Sequence, residues 1–220
     1  MFFEMCHPSI MPSRTELRWL NRGVRDIHPT KVHLTEAAVT LIDEHGSQGF
    51  TVEQLLEKSN ISKGSLYHHF EDFQDVIMQA QVLRFARYVE EDITALTNVL
   101  LAASSREDMF GRLDLISRAT HDPARSVRRA DRIEILAGAR HSEKMKNALG
   151  PTQARLTGAI ADLVREMKAK DFVNQDLDST AVAVFIQAYS LGLIVNDVSN
   201  EQVDLENWHA LISRMTRGLL

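Results

Sequence analysis

Residues 51–70 read Thr-Val-Glu-Gln-Leu-Leu-Glu-Lys-Ser-Asn-Ile-Ser-Lys-Gly-Ser-Leu-Tyr-His-His-Phe. Two helix starts are written into this stretch. Thr51 is an N-cap residue with Gln54 three positions on, the capping box in which each side chain satisfies a backbone N–H of the other. Ser62 is a second N-cap. Asn60, between the two, is the side-chain-bearing residue that best tolerates the left-handed backbone of a tight turn. Leu66 and Phe70 are four apart and are expected to face inward, which leaves Lys63, Ser65, Tyr67 and His68 projecting outward. Two short capped helices around a tight turn, the second bearing hydrogen-bonding and cationic side chains, form the pattern of a helix-turn-helix that reads DNA.

The flanking sequence continues in helices. From Thr30 to His45 the apolar residues Val32, Leu34, Ala37, Ala38, Leu41 and Ile42 recur at helical spacing, and Gly46 follows as a stop. After Phe70 a stripe through Phe73, Val76, Ala80, Leu83, Val89, Ile93, Leu96 and Leu100 predicts one long helix of roughly seven or eight turns. Ser105 with Asp108 resembles another capping box, for a helix running toward His121. Asp122-Pro123 predicts a cap and first-turn proline for the next, reaching about Ala139. Gly150-Pro151-Thr152 is expected to end one segment and start another, with Leu156, Ile160, Leu163, Val164 and Met167 on its buried side. Asp178 should cap Ala181 to Val195, and Asp204 the last helix. The fold class expected is all-α: a three-helix helix-turn-helix module joined by a long helix to a larger helical domain for ligand binding and dimerisation. The expected division is an N-terminal extension over 1–29, the DNA-binding domain over 30–74 and the larger domain over 75–220.

Composition agrees with a folded helical protein. In 220 residues, 44% are hydrophobic and 25% charged, with five Pro and ten Gly, which excludes a disordered or low-complexity chain. The single cysteine, Cys6, excludes an internal disulfide or a multi-cysteine metal centre. The first residues lack the basic and apolar regions of a signal peptide. The longest apolar run, Ala181 to Val195, is broken by Gln187, so a cytoplasmic protein with no membrane partner is expected. The net charge of -5 is not that of a strongly basic nucleic-acid binder. From Met11 to Phe70, however, seven Lys and Arg balance seven Asp and Glu, so the acidic excess lies later and DNA contact belongs to the first third. Arg14, Arg18, Arg22 and Arg25 fall four, four and three apart, either as a basic arm or as solvated arginines of a terminus.

With these elements placed, residues 31–76 resemble the DNA-binding module of the TetR family of bacterial transcriptional regulators. Lys31, Leu34, Ala37-Ala38, Leu41-Ile42 and Gly46 match its first helix, Thr51-Val52 and Leu55 its second, and Ile61 through Phe70 its turn and recognition helix. The resemblance implies that the Tyr67 hydroxyl and His69 meet phosphates, that Lys63, Ser65 and His68 contribute to base readout, and that Thr51 anchors a phosphate. Gly64 would allow close backbone approach. Two residues depart from the family pattern. Phe73 stands where a phosphate-touching Lys is common, and Leu56 where a small Ala lets the two short helices approach.

The resemblance further implies a repressor that binds a palindromic, double-stranded DNA operator as a dimer and is released by a small-molecule effector. Its dimer would form through the two C-terminal helices, about 178–197 and 204–219. Phe110, His121, His141, Phe185 and Tyr189, with Trp208, are candidates for the effector cavity, although ordinary core packing explains each nearly as well. Arg125, Arg128, Arg129 and Arg132 form a stripe that could hold an anion such as an acyl-coenzyme A; Asp122, Asp131 and Glu134 among them favour a salt-bridged, solvated face. No cofactor or metal is expected, since adjacent His68 and His69 point about 100° apart on a helix and lack ligand partners. No nucleophile, paired-carboxylate or phosphate-loop motif suggests an enzyme. The alternative reading is a helical ligand-binding or scaffold dimer that has lost DNA recognition.

Overall fold

The computed structural model describes residues 28–220, and among these every regular element is helical, with no strand. Cys6 and the four arginines of the N-terminal extension lie outside the described residues. The chain divides into two compact units, one ending at Ile77 and the other spanning Met78–Leu220.

The first unit holds α1 (Pro29–His45), α2 (Val52–Ser59), α3 (Lys63–His69) and the start of α4 (Phe73–Leu101). Helix α1 begins at Pro29, whose missing N–H costs nothing in a first turn, and the His28 ring accepts the Thr30 N–H at 3.2 Å. Gly46 ends α1 with a positive φ of 81°. Gly49 lies so close to the His45 carbonyl that a Cβ would sit 1.8 Å from its oxygen, so the loop into α2 needs glycine there. Leu34, Ala38, Leu41, Ile42, Leu55, Leu66, Phe70 and Val76 are buried, and α1 packs against both α2 and α3.

Helix α4, about 44 Å long at 1.5 Å per residue, supplies most of its length to the second unit. The other elements there are α5 (Arg106–His121), α6 (Ser126–Gly138), α7 (Glu143–Ala169), α8 (Ser179–Gly192), α9 (Ile194–Asp197) and α10 (Leu205–Leu219). Two apolar clusters hold the unit together. One gathers Phe85, Val89, Ile135, Leu156, Ile160 and Ala183, and the other Leu100, Met109, Phe110, Leu163, Met167 and Val182.

Three local expectations change. Gly150-Pro151 does not divide two segments, because α7 runs unbroken from Glu143 to Ala169 with Pro151 inside it. An interior proline costs a helix about 3 kcal/mol. Met145, Leu149, Leu156, Ile160, Leu163, Val164 and Met167 all bury on one side of α7, at about 2 kcal/mol each, while Pro151 is exposed. Burial therefore outweighs the break. Asp122 does cap, accepting the Ala124 N–H at 2.8 Å, but it opens only a 3-10 turn over Pro123–Arg125 before α6 begins at Ser126. The apolar run at 181–195 is split at Leu193 into α8 and α9. By length and composition alone, Ser179–Asp197 could cross a membrane. Here it is an outer surface on which Val184, Phe185 and Val195 are exposed.

Candidate nucleic-acid interface and ligand cavity

Local hydrogen bonding fixes the two short helices. Thr51 Oγ1 accepts the Gln54 N–H at 3.4 Å, and Gln54 Oε1 accepts the Thr51 N–H at 2.8 Å, completing the capping box. Asn60 takes the left-handed conformation at φ 52°, ψ 34° and ends α2. Ser62 Oγ accepts the Ser65 N–H at 3.3 Å and starts α3. Leu66 is wholly buried and Phe70 nearly so, which fixes the rotation of α3 about its axis. The remaining face is exposed at Lys63, Gly64, Tyr67 and His68 and half-exposed at Ser65 and His69; Thr51 is exposed at the start of α2.

The chemistry of that face is specific. Lys31 sits 5.1 Å from the centre of the Phe70 ring, and Lys58 is paired with Glu44 at 2.7 Å. Lys63 makes no ion pair among the described residues, so its charge is available to a partner. A Cβ at Gly64 would meet nothing within 4 Å, so no packing within the protein demands glycine there. His69 stacks on His28 with ring centres 4.5 Å apart and meets His68 edge-on at 5.0 Å. Burial first, and then the neighbouring His28, His68 and Lys31, hold the His69 imidazole below its ordinary pKa, favouring the neutral donor form. His28 was not visible as a member of this group in the sequence, because its contact with His69 spans 41 positions and has no periodic signal.

Phe73 packs edge-on against Phe50, with centres 5.4 Å apart and planes at 81°, so the residue standing in place of a phosphate-touching lysine joins the apolar packing. Leu56 is half-buried.

In the second unit, a cavity of about 60 Å³ opens between α4, α5, α7, α8 and α10. Of the six sequence candidates for such a cavity, Tyr189 lines it and five do not. Phe110 is buried between the Arg106 and Arg217 guanidiniums, each 4.9 Å from its ring centre. His141 is exposed, and Phe185 lies on the outer side of α8. His121 is fully buried behind the lining residues Ser117 and Tyr189. The Trp208 indole donates to His121 Nδ1 at 3.2 Å, and the Ser117 hydroxyl lies 3.3 Å from the same atom. Because an indole can only donate, Nδ1 is the acceptor and the proton resides on Nε2. Burial, then His209 and Arg129, push the His121 pKa down to about 4. Asp114, Ser117 and Thr216, which also line the cavity, carry no sequence signal that separates them from other surface or core positions.

The arginine stripe is engaged across helices rather than within its own. Arg128 pairs with Glu91 and Asp92, Arg132 with Asp92, and Arg129 with Asp197 at 2.7 Å. Asp131, one of the acids expected to pair within the stripe, instead takes Arg84 at 2.6 Å. The Arg129 side chain is only 5% exposed, so the central member is a core ion pair and the stripe is not a solvated face there. Among the described residues, no cluster of three His, Cys, Asp or Glu is arranged to hold a metal.

A capped helix-turn-helix with an outward basic and hydroxyl face, followed by an all-α unit enclosing an apolar cavity, defines a DNA-binding transcriptional regulator of the helical type. The family described as bacterial regulatory proteins, tetR family, matches residues 34–76. The chain is similar to the transcriptional repressor Rv1474c of Mycobacterium tuberculosis, at 26% identity across 72% of this chain and 76% of that one. It is 23% identical to the transcriptional regulator UidR of Escherichia coli across 82% and 87% of the two chains. Among solved structures, a TetR-family regulator from Cytophaga hutchinsonii superposes with a TM-score of 0.61 at 15% identity, over 89% of this chain and 98% of that one. GusR of Salmonella enterica superposes at 0.59 and 21%, over 90% and 98%. Residues 34–76 thus match the DNA-binding module of the TetR family, and over most of its length the chain is similar to regulators of that family. These relatives and structural neighbours are transcriptional regulators.

Proposed function

We propose that this regulator is a homodimeric, cytoplasmic repressor that binds a palindromic operator through residues 30–74 and is released when a small molecule enters the domain over 75–220. One observation carries the DNA-binding part. Leu66 and Phe70 bury the inner face of α3, while Lys63, which makes no ion pair among the described residues, and Tyr67, 45% exposed, stand on its outer face. Thr51, Ser65, His68 and His69 complete the contact set, with Gly64 leaving room for close backbone approach to the duplex. Dimerisation is supported by the apolar side chains left outside the fold on the last helices: Val184 and Phe185 on α8, and Leu211, Met215 and Leu219 on α10. Paired with their copies across a two-fold axis, two such helices from each chain would build a four-helix interface.

Release is supported by the cavity. At about 60 Å³ it is well below the roughly 300–1,000 Å³ of a filled ligand site. A ligand must therefore push its walls apart, and two of the wall residues, Met109 and Met167, are the adaptable kind. Binding that opens the walls favours a different conformation from the one described. A preference of about 1.4 kcal/mol suffices to weaken DNA binding tenfold.

Lys63→Ala and Tyr67→Phe should each weaken operator binding by roughly tenfold, about 1.4 kcal/mol, while thermal unfolding is unchanged because both side chains are exposed. Lys63→Ala should also flatten the salt dependence of binding. Gel-shift titrations at two salt concentrations check this, and wild-type affinity in both variants would remove α3 from the interface.

A further inference from the structure

We infer that the ligand accepted by this cavity is a neutral amphiphile, with an aliphatic body ending in a hydroxyl or carbonyl oxygen. This rests on the reading of the cavity as the effector site. The cavity wall is aliphatic or thioether apart from four residues, and Tyr189 is its single ring, so a flat aromatic ligand would find almost no stacking surface. The four polar residues, Asp114, Ser117, Tyr189 and Thr216, lie on α5, α8 and α10, whereas α4 and α7 contribute only Leu, Ile, Val and Met. The few polar groups of this otherwise apolar wall are thus gathered on the α5, α8 and α10 side.

The polar side selects by charge. No Lys, Arg or His lines the cavity. The cation nearest to it in the bonding network, Arg217, is held by Glu107 at 3.1 Å and by Asp114 at 3.5 Å. An anionic head would face the half-buried Asp114 carboxylate without a free counter-charge. A cationic head would have to displace Arg217, while Ser213 also donates to Asp114 at 3.2 Å. The stripe at Arg128, Arg129 and Arg132 offers no second anion site, because each of these is already paired. An uncharged oxygen meets neither obstacle. The Tyr189 phenol can donate to it, and the Ser117 hydroxyl, whose proton is directed at His121 Nδ1, keeps lone pairs to accept from a ligand hydroxyl. The Thr216 hydroxyl donates to its own helix at the Ile212 carbonyl, 2.9 Å away, and keeps lone pairs to accept from a ligand hydroxyl.

The test uses the full chain and three probes of one length, 1-octanol, octanoate and octylamine, below their aggregation limits, with binding followed by thermal shift and by displacement of an apolar fluorophore. Octanol should bind at least tenfold more tightly than either charged probe. Tyr189→Phe should reduce that advantage several-fold, and Asp114→Asn should narrow the gap to octanoate. Leu163→Trp, which fills the apolar side, should abolish binding of all three. Octanoate or octylamine binding as tightly as octanol overturns the ligand class and leaves the effector cavity standing, as does an unchanged octanol-to-octanoate ratio in Asp114→Asn. If no probe binds the wild type better than Leu163→Trp, both the ligand class and the cavity's role fail.

Discussion

Arg129→Ala should destabilise the second unit by about 3–5 kcal/mol, among the largest losses available from a single side chain. The guanidinium grips Asp197 through two parallel bonds, Nε to Oδ2 at 2.8 Å and Nη2 to Oδ1 at 2.7 Å. Its third nitrogen donates to the Thr120 carbonyl at 3.0 Å and the Asp122 carbonyl at 3.3 Å. One residue on α6 thereby ties together the end of α5 and the end of α9. The two side chains are only 5% and 14% exposed, so truncating the arginine strands the Asp197 carboxylate and removes the Thr120 carbonyl's partner, while the Asp122 carbonyl keeps the Arg125 N–H at 2.9 Å. Arg125 provides the control, since it is exposed four residues earlier on the same stripe; Arg125→Ala should change stability by less than about 0.5 kcal/mol. The double variant Arg129→Leu, Asp197→Leu should recover much of the loss, because it removes both charges together. Urea unfolding of the four proteins decides the matter. A loss below about 1 kcal/mol for Arg129→Ala would mean that water reaches the pair.

The second large effect is a loss of stability in mild acid that passes through His121. Its pKa falls from the ordinary 6.5 to about 4, so the folded protein holds this imidazole neutral while the unfolded chain takes up a proton. The sign follows from the proton count. The unfolded state binds more protons between about pH 6.5 and 4, so stability is full above 6.5, falls as the pH drops through that window, and levels off below it. At pH 5 this group alone should cost about 2 kcal/mol, rising to about 3 kcal/mol near pH 4. Protonation would put a hydrogen on Nδ1, where the Trp208 indole already donates, so the charged form also forfeits the bond that joins α5 to α10. His209, on α10 with its ring centre 5.8 Å from that of His121, is shifted in the same direction by burial first and then by Arg118. Carboxylates titrate in the same range, so the informative quantity is a difference. His121→Gln should be less stable than wild type at pH 7.5, and the deficit should shrink by about 2 kcal/mol by pH 5. A deficit constant with pH would show that His121 does not titrate on unfolding.

The helix-turn-helix was legible because its determinants are local. The capping box at Thr51 and Gln54, the left-handed Asn60 and the Ser62 cap all act within three or four residues, and the structure shows each of them. The burial of Leu66 and Phe70 followed from their spacing alone. What was not legible depends on partners distant in sequence. Pro151 reads as a break, and only the apolar face that α7 buries shows why it is carried inside a helix. Arg129 reads as a member of a surface stripe, and its burial depends on Asp197, 68 positions away. The cavity was hardest to see, because Asp114, Ser117 and Thr216 differ from other polar helix residues only in what faces them across the fold. Phe110 packs between two guanidiniums and Phe185 faces outward, and helical spacing alone does not separate either place from the wall of a cavity. Phe73 lies between these cases. The sequence shows that a lysine is missing, and the structure shows that the ring packs on Phe50.

Selection of bound duplexes from a random-sequence pool, with the 220-residue chain as bait, tests whether two copies of it read DNA through α3. The expected result is an inverted repeat whose half-sites lie about one or two helical turns apart, occupied by two chains, with affinity that falls steeply with salt and is weakened by Lys63→Ala. Recovery of no preferred sequence, or of binding indifferent to Lys63 and Tyr67, would contradict it and leave a helical dimer that binds ligands without reading DNA.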